Sequence, residues 1–425
     1  MQPEPVKLLI VGAGSRGSVY STYALEYPEQ ARVVGVADPR EFFHVRMAKR
    51  HHIEVDSVVE DWRELAQRPK FADAVVIATP DALHLEPDVE FARKGYDILL
   101  EKPLAPDPQS CRRIVEAVQE QDVILAVGHV LRYTSYTQQL KKLLDSGLIG
   151  DIVSIQHLEP VGYWHQAHSF VRGNWRNEAL SSFMLLAKSC HDIDWLRYLV
   201  GHPCVQVSSF GSLMHFRKEA KPVEAGEAKR CLDCAYEPQC PYSAQRFYLG
   251  RLYQNRLGWP LDVITTELTE DGVMAALQDG PYGRCVYECD NDVVDHQVVN
   301  LLYDNGITAT FTMIGTSETR DRETIIFGTR GELRGNGEKI IHYDFLTNQT
   351  REITPQLAET PLIRHSDGDY YLMKRFIEAV ATRDRSRVLS GPAETLETHL
   401  TVFAAEQARH ESRVVQIATY GLDEG

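Results

Sequence analysis

With 425 residues, 43% of them hydrophobic and 25% charged, the chain has the make-up of a globular protein long enough for two domains. A net charge of −15 argues against nucleic acid or an anionic membrane as partner, though it does not exclude a local basic pocket. No apolar run nears the roughly 20 residues of a membrane span, and the opening MQPEPVKLLIVGAG has no basic segment ahead of a long apolar one, so no signal peptide and a cytoplasmic setting are expected.

In chain order, the first element is KLLIVGAGSRG, Lys7 to Gly17. Apolar strand formers run into glycines spaced G-x-G-x-x-G, and a helix is expected over 18–26. Gly12 suits a tight turn, Gly14 lets backbone approach a pyrophosphate, and Gly17 lets the helix lie close on the strand. Ser15 and Arg16 complete the phosphate loop, at a helix N-terminus that favours negative charge. A second strand, RVVGVA at 32–37, ends at Asp38, where a carboxylate is placed to bind ribose hydroxyls. Asp38 repels a 2′-phosphate, so NAD is expected over NADP; Arg40 softens that preference. Strands follow at 72–80, 97–103 and 123–129, with helices near 41–51, 82–95 and 108–121. Short Val/Ile/Leu-rich strands alternating with helices mean a doubly wound parallel sheet. This nucleotide-binding Rossmann domain is expected to span 1–130. A helix at 134–147 bridges to the second domain, 131–425.

From Asp151 the pattern changes. Strands are expected at 151–158, 204–214, 293–303, 307–314 and 339–345, with Asp304-Asn305-Gly306 marking a hairpin. The second domain is therefore α+β, with a large, mostly antiparallel open-faced sheet. Helices are expected at 181–199, 368–383 and 392–412, and an exposed loop at 217–230.

Glu101-Lys102-Pro103 closes an apolar strand at the carboxyl edge of the first sheet, where ligands of open α/β sheets bind. A lysine there can donate to a substrate hydroxyl; as a bland alternative it is a strand-end lysine in solvent. Together GAGSRG, ADP at 37–39, ATPDALH at 78–84 and EKPLA at 101–105 resemble the glucose–fructose oxidoreductase / inositol dehydrogenase (Gfo/Idh/MocA) family. The similarity continues through 175–201. These are two-domain NAD(P)-dependent enzymes acting mostly on sugars, polyols and their derivatives. The resemblance implies that Lys102 lies in the active site, that the peptide before Pro103 is often cis, and that Ala78, Thr79, Pro80, His84 and Glu101 line the nicotinamide side. It also implies an Asp, a His four residues later and an Asp three further on. His191 and Asp194 fill the last two places, but Ala187 stands in the first.

With that carboxylate missing, Lys188 becomes the candidate neighbour. Three residues before His191, it is expected to share a helix face and keep the imidazole neutral. Lys102, Lys188 and His191 are then expected to converge on the reacting hydroxyl, with His191 or Lys102 as base. Substrate candidates cluster in a tyrosine- and histidine-rich loop, 161–176: Tyr163, Trp164, His165, His168, Arg172, Asn174, Trp175 and Arg176. Arg132 and Tyr133 after the last strand, and Asp295 and His296, are further candidates.

Eight cysteines in a reducing compartment are expected as thiols or metal ligands. Cys231, Cys234 and Cys240 have metal-knuckle spacing and suggest a closed structural zinc site pinning a Cys-rich insertion near 217–250. Cys285 is the first choice of fourth ligand, with Cys289 and His215 behind it. Unligated loop thiols, or a redox-sensing triad, are the alternatives.

The leading reading is an NAD-dependent oxidoreductase of a secondary hydroxyl on a sugar, polyol or sugar derivative. An alternative implied by some relatives is a redox-cycling glycoside hydrolase, which oxidises transiently, eliminates the aglycone and re-reduces. A non-catalytic NAD-sensing regulator is disfavoured by the presence of Lys102 and His191. The resemblance implies that the C-terminal sheet forms the oligomer interface; the apolar hairpin at 293–314 fits that, so a homodimer or homotetramer is expected.

Overall fold

The computed structural model describes residues 4–360, 362 and 366–417. Its first sheet has six parallel strands: β1 (Val6–Val11), β2 (Ala31–Ala37), β3 (Val58–Val59), β4 (Ala74–Ile77), β5 (Asp97–Leu100) and β6 (Leu125–Val127). Their order, β3-β2-β1-β4-β5-β6, is that of a doubly wound dinucleotide fold. β4, β5 and β6 are buried throughout, which is why they read as unbroken Val/Ile/Leu runs. One covering helix comes from far along the chain. Gly368–Thr382 sets Leu372, Phe376 and Ile377 against Leu8, Ile10, Tyr20 and Leu99. The first unit is therefore completed by residues the sequence division assigns to the second.

The second sheet has nine strands: β7 (Ile152–Pro160), β8 (Cys204–Ser212), β9 (His296–Tyr303), β10 (Thr308–Ile314), β11 (Glu323–Gly328), β12 (Gly331–Gly335), β13 (Ile340–Asp344), β14 (Gln349–Ile353) and β15 (Val415–Gln416). They run β14-β13-β12-β11-β7-β10-β9-β8-β15, and every neighbouring pair is antiparallel except β7 with β10. The Asp304–Gly306 turn joins β9 to β10, with Gly306 at φ +85°. Helices Cys190–Val200 and Pro392–Glu411 share the core with the inward residues of this sheet, among them Val299, Phe311 and Leu333.

Three segments depart from expectation. The helix expected over 181–199 is two pieces, Met184–Ala187 and Cys190–Val200, hinged at Lys188-Ser189. The loop expected at 161–176 is largely helical, a turn at Tyr163–His165 continuing into a π-helix, Gln166–Arg172. Finally, the insertion fills the whole interval between β8 and β9. It has its own core of Tyr248, Leu249, Leu261, Val273 and Leu277, well beyond the Cys-rich stretch near 217–250.

Candidate functional site at the carboxyl edge of the first sheet

β1, β2, β4, β5 and β6 all deliver residues to one edge. Gly12 leaves β1 at φ +91°, and a side-chain carbon there would stand 2.5 Å from the Ala78 carbonyl oxygen. At Gly17 a Cβ would meet Gly12 O at 2.0 Å, so only glycine lets the helix Ser15–Glu26 sit directly on the turn. Gly14, by contrast, faces only the tip of Arg40, at 3.2 Å. This cradle at the start of a helix, whose first-turn N–H groups lack intrahelical acceptors, fits a pyrophosphate. Asp38 is buried at the end of β2, accepting from Ala13 N (2.8 Å) and from Arg40 Nε and Nη2 (2.9 and 2.8 Å). Burial pushes its carboxyl up, but the Arg40 guanidinium and the Ala13 N–H outweigh that and hold it below the usual carboxylate range.

Arg16, expected against the phosphates, is engaged elsewhere. Its guanidinium reaches Glu101 Oε1 (2.6 Å), Tyr20 Oη (2.7 Å) and Asp369 Oδ1 (2.5 Å). It braces the end of β5 and ties both to the helix Gly368–Thr382. Glu101 is correspondingly buried, its second oxygen accepting from Lys102 N at 3.0 Å. Burial favours its neutral form, but Arg16 and then Lys102 prevail and keep it ionised. His84 is fully buried, with its ring nitrogens 2.8 Å from Pro103 O and 3.0 Å from Thr79 O. It thus clamps the Ala78–Pro80 loop to the segment after Lys102. The Lys102–Pro103 peptide is cis.

Lys102 Nζ donates to the carbonyl oxygen of Ala187 at 2.6 Å. The residue where the family pattern has an aspartate thus meets the lysine through its backbone. Four residues on, His191 lies in the first turn of Cys190–Val200, largely buried. It packs edge-on against His129, ring centroids 5.7 Å apart, and His129 in turn lies 5.6 Å from His399. Burial, with Arg132 and Lys102 adding repulsion, holds the His129 imidazole well below its ordinary pKa.

Lys188 does not share a helix face with His191, because the helix breaks at 188–189. Its ammonium pairs with buried Glu159 on β7, 3.0 Å away. Arg322 joins the other Glu159 oxygen (3.0 Å) to Asp192 (2.5 Å), which also holds His157 Nε2 at 3.1 Å. The expected convergence of Lys188 on the hydroxyl gives way to a buried ion network beneath the joint. Burial alone would raise the Asp192 carboxyl; Arg322 and His157 bring it far below the carboxylate range.

Several substrate candidates are committed elsewhere. Arg132 is wholly buried and grips Asp194 through two 2.7 Å bonds, while Tyr133 Oη pairs with Ser390 at 2.9 Å. Trp164 stacks on Phe247, and His168 bonds Tyr248 Oη at 2.6 Å, both inside the insertion. Arg172 points at Cys231, and Arg176 pairs with Asp290 at 2.9 Å. Asp295 accepts from Met214 N and His215 N at 3.0 and 2.6 Å, and holds His296 Nδ1 at 2.9 Å. Tyr163 is 41% exposed and Asn174 is also exposed; Trp175 and His296 are half-buried. Glu159, Asp192, His157 and Arg322 of this network, and His129 and His399 beside His191, escape sequence reasoning. They come from distant segments, and the one local signal is that His129 lies two residues beyond the end of β6.

A dinucleotide cradle, a lysine at its edge and a second sheet carrying the facing helix together make a nucleotide-binding fold with a candidate site at the sheet's carboxyl edge. Residues 6–129 match the family model described as oxidoreductase family, NAD-binding Rossmann fold, and 141–417 match its C-terminal alpha/beta domain. The chain belongs to the Gfo/Idh/MocA oxidoreductase family. Among curated relatives, it is 29% identical over 211 residues to a 2,7-anhydro-N-acetylneuraminate hydratase of Mediterraneibacter gnavus, covering 50% of this chain and 54% of that one. It is 28% identical over 214 residues to scyllo-inositol 2-dehydrogenase (NAD(+)) of Bacillus subtilis, covering 49% and 58%. The matched stretch thus spans little more than half of either relative. A solved levoglucosan dehydrogenase in complex with NADH shares the fold, with TM-score 0.71 at 18% identity over 97% of this chain and 99% of the other. Among the described residues, no helix is long and apolar enough to cross a membrane.

Proposed function

We propose that this chain is an NAD-dependent oxidoreductase moving a hydride between a secondary hydroxyl of a sugar, polyol or sugar derivative and the nicotinamide. The observation that carries this reading is the bond from Lys102 Nζ to Ala187 O at the mouth of the cradle, at the foot of the helix bearing His191. Bound NAD supplies the hydride acceptor. Lys102 has two further N–H groups with which to hold the substrate oxygen. His191 takes the hydroxyl proton as the carbinol C–H bond breaks. The carbonyl of Ala187 fixes the ammonium where the absent aspartate would otherwise act. Tyr163, Trp175 and His296 are the proposed substrate contacts. NAD over NADP, a cytoplasmic setting, the division near residue 130 and a homodimer or homotetramer through the open sheet belong to the same reading.

A second reading is redox-neutral elimination, favoured by similarity to a relative named as a hydratase. One assay separates the two. The protein is incubated with NAD and a panel of neutral, acidic and glycosylated sugars, and NADH absorbance is followed together with released aglycone or water-loss product. Stoichiometric NADH without elimination supports the dehydrogenase. Product release at catalytic NAD, with no NADH build-up, supports the elimination. Tight NAD binding with neither signal across the panel counts against both.

A further inference from the structure

We infer that Cys231, Cys234, Cys240 and Cys285 bind a structural zinc ion, and that buried Arg172 supplies part of its counter-charge. The four thiols line one cavity of about 20 Å³, together with Arg172, Glu237 and Tyr287. That is room for a single small occupant, since a water needs roughly 10–15 Å³. Three of the cysteines flank two short turns, Cys231–Asp233 and Glu237–Gln239. The fourth lies far along the chain and is brought in by backbone pairing. Arg230 bridges Arg284, and Cys285 N donates to Lys229 O at 2.9 Å. The two other candidates lie outside the cavity lining. Cys289 Sγ turns to Cys285 O (3.2 Å), and His215 Nε2 lies 3.3 Å from Tyr287 Oη.

The second observation is the charge on Arg172. This side chain is 4% exposed, and its contacts are Arg284 O at 2.7 Å, Tyr242 O at 2.8 Å and Cys231 Sγ at 3.4 Å. None of its partners among the described residues is a carboxylate. A buried cation without a counter-charge is strongly disfavoured, and neutral thiols do not provide one. Zinc resolves this. Binding expels four thiol protons, leaving a doubly negative tetrathiolate centre beside the guanidinium. Arg172 then donates to a ligating sulfur, as outer partners of metal ligands do.

Closure needs movement. Edges of a zinc–thiolate tetrahedron are about 3.8 Å, from Zn–S bonds of about 2.3 Å. The three-ligand group within 4.8 Å among the described residues is instead Glu178, Glu406 and His410. The thiols must therefore draw inward, which rotation of side chains on short turns allows. The consequence is mechanical. The metal pins the insertion to the π-helix Gln166–Arg172, which holds Tyr163 at the substrate side. No step of the proposed redox chemistry runs through it.

The test is metal analysis of the full chain, purified reduced and without chelator, alongside Cys285→Ser, Cys234→Ser and Cys289→Ser. Wild type is expected to carry one zinc per chain, Cys289→Ser to keep it, and the other two to lose it. Because those two variants can misfold, metal-stripped wild type is also titrated with Co²⁺. A saturable thiolate-to-cobalt charge-transfer band with tetrahedral ligand-field absorption supports the site. Wild type without zinc and without that band overturns the inference. So does a Cys285→Ser protein that keeps its full zinc.

Discussion

Lys102 holds the Ala187 carbonyl and, in the proposed function, offers its remaining N–H groups to a substrate, so its removal should affect turnover more than folding. Lys102→Ala and His191→Ala are each expected to lower kcat by about a hundred- to ten-thousand-fold, the usual range for a lost general acid or base. NAD affinity by fluorescence titration should be nearly unchanged, and either variant turning over normally would rule out the assigned role. In the proposed reading, Asp38 sets cofactor choice. Asp38→Ala should weaken NAD use at least tenfold, given about 1.5–3 kcal/mol for a hydrogen bond to a charged group. It should also release Arg40 toward a 2′-phosphate, so kcat/KM for NADP should rise as that for NAD falls. Arg132 is a contrasting case. Arg132→Met leaves buried Asp194 without its guanidinium partner, which should cost about 3–5 kcal/mol in urea unfolding. Where the variant remains folded, substrate KM should not move. A KM increase would restore Arg132 to the pocket.

The turn after β1 is the element on which the cradle depends. Gly12→Ala places a Cβ in the left-handed region and against the Ala78 carbonyl, so calorimetric titration should find NAD binding abolished or the protein unfolded. This turn and the strand-end EKP segment were legible in sequence, because strict glycine spacing and buried parallel strands leave few alternatives. The second sheet was only partly legible. β9 and β10 alternate cleanly about a hairpin signal. β12, GELRG, has poor strand formers and takes its register from β11 and β13. The 161–176 segment read as a loop because its helical form depends on aromatic packing against an insertion distant in sequence. The break at Lys188-Ser189 was hidden for the same reason. Lys188 there pairs with Glu159, which Arg322 in turn ties to Asp192, contacts that only the tertiary fold creates.

At the scale of the whole molecule, buried histidines should make stability strongly pH-dependent. Burial and the neighbouring Arg132 and Lys102 hold His129 well below its ordinary value. Burial first, then nearby cations or His129, brings His168 and His399 down to about 3. An unfolded histidine takes up its proton near pH 6.5, roughly, while these remain neutral until far lower pH. In that interval the unfolded state holds more protons, so stability is lost as pH falls below about 6.5, by about 1.4 kcal/mol per unit for each group. Urea midpoints should therefore be nearly flat above about pH 7.5 and drop steeply below about pH 6.5, and His399→Gln should flatten that lower slope by about one proton. A flat wild-type profile would contradict this. The tie from Arg16 to Asp369 bears on how the protein is made. Domains commonly fold as they leave the ribosome, N-terminal first. Here the nucleotide-binding unit lacks a packing layer, and the partner of its phosphate-loop arginine, until residues 368–382 have been synthesised. Nascent chains stalled before that helix should remain protease-sensitive throughout the first sheet and fail to retain NAD, however complete their G-x-G-x-x-G turn.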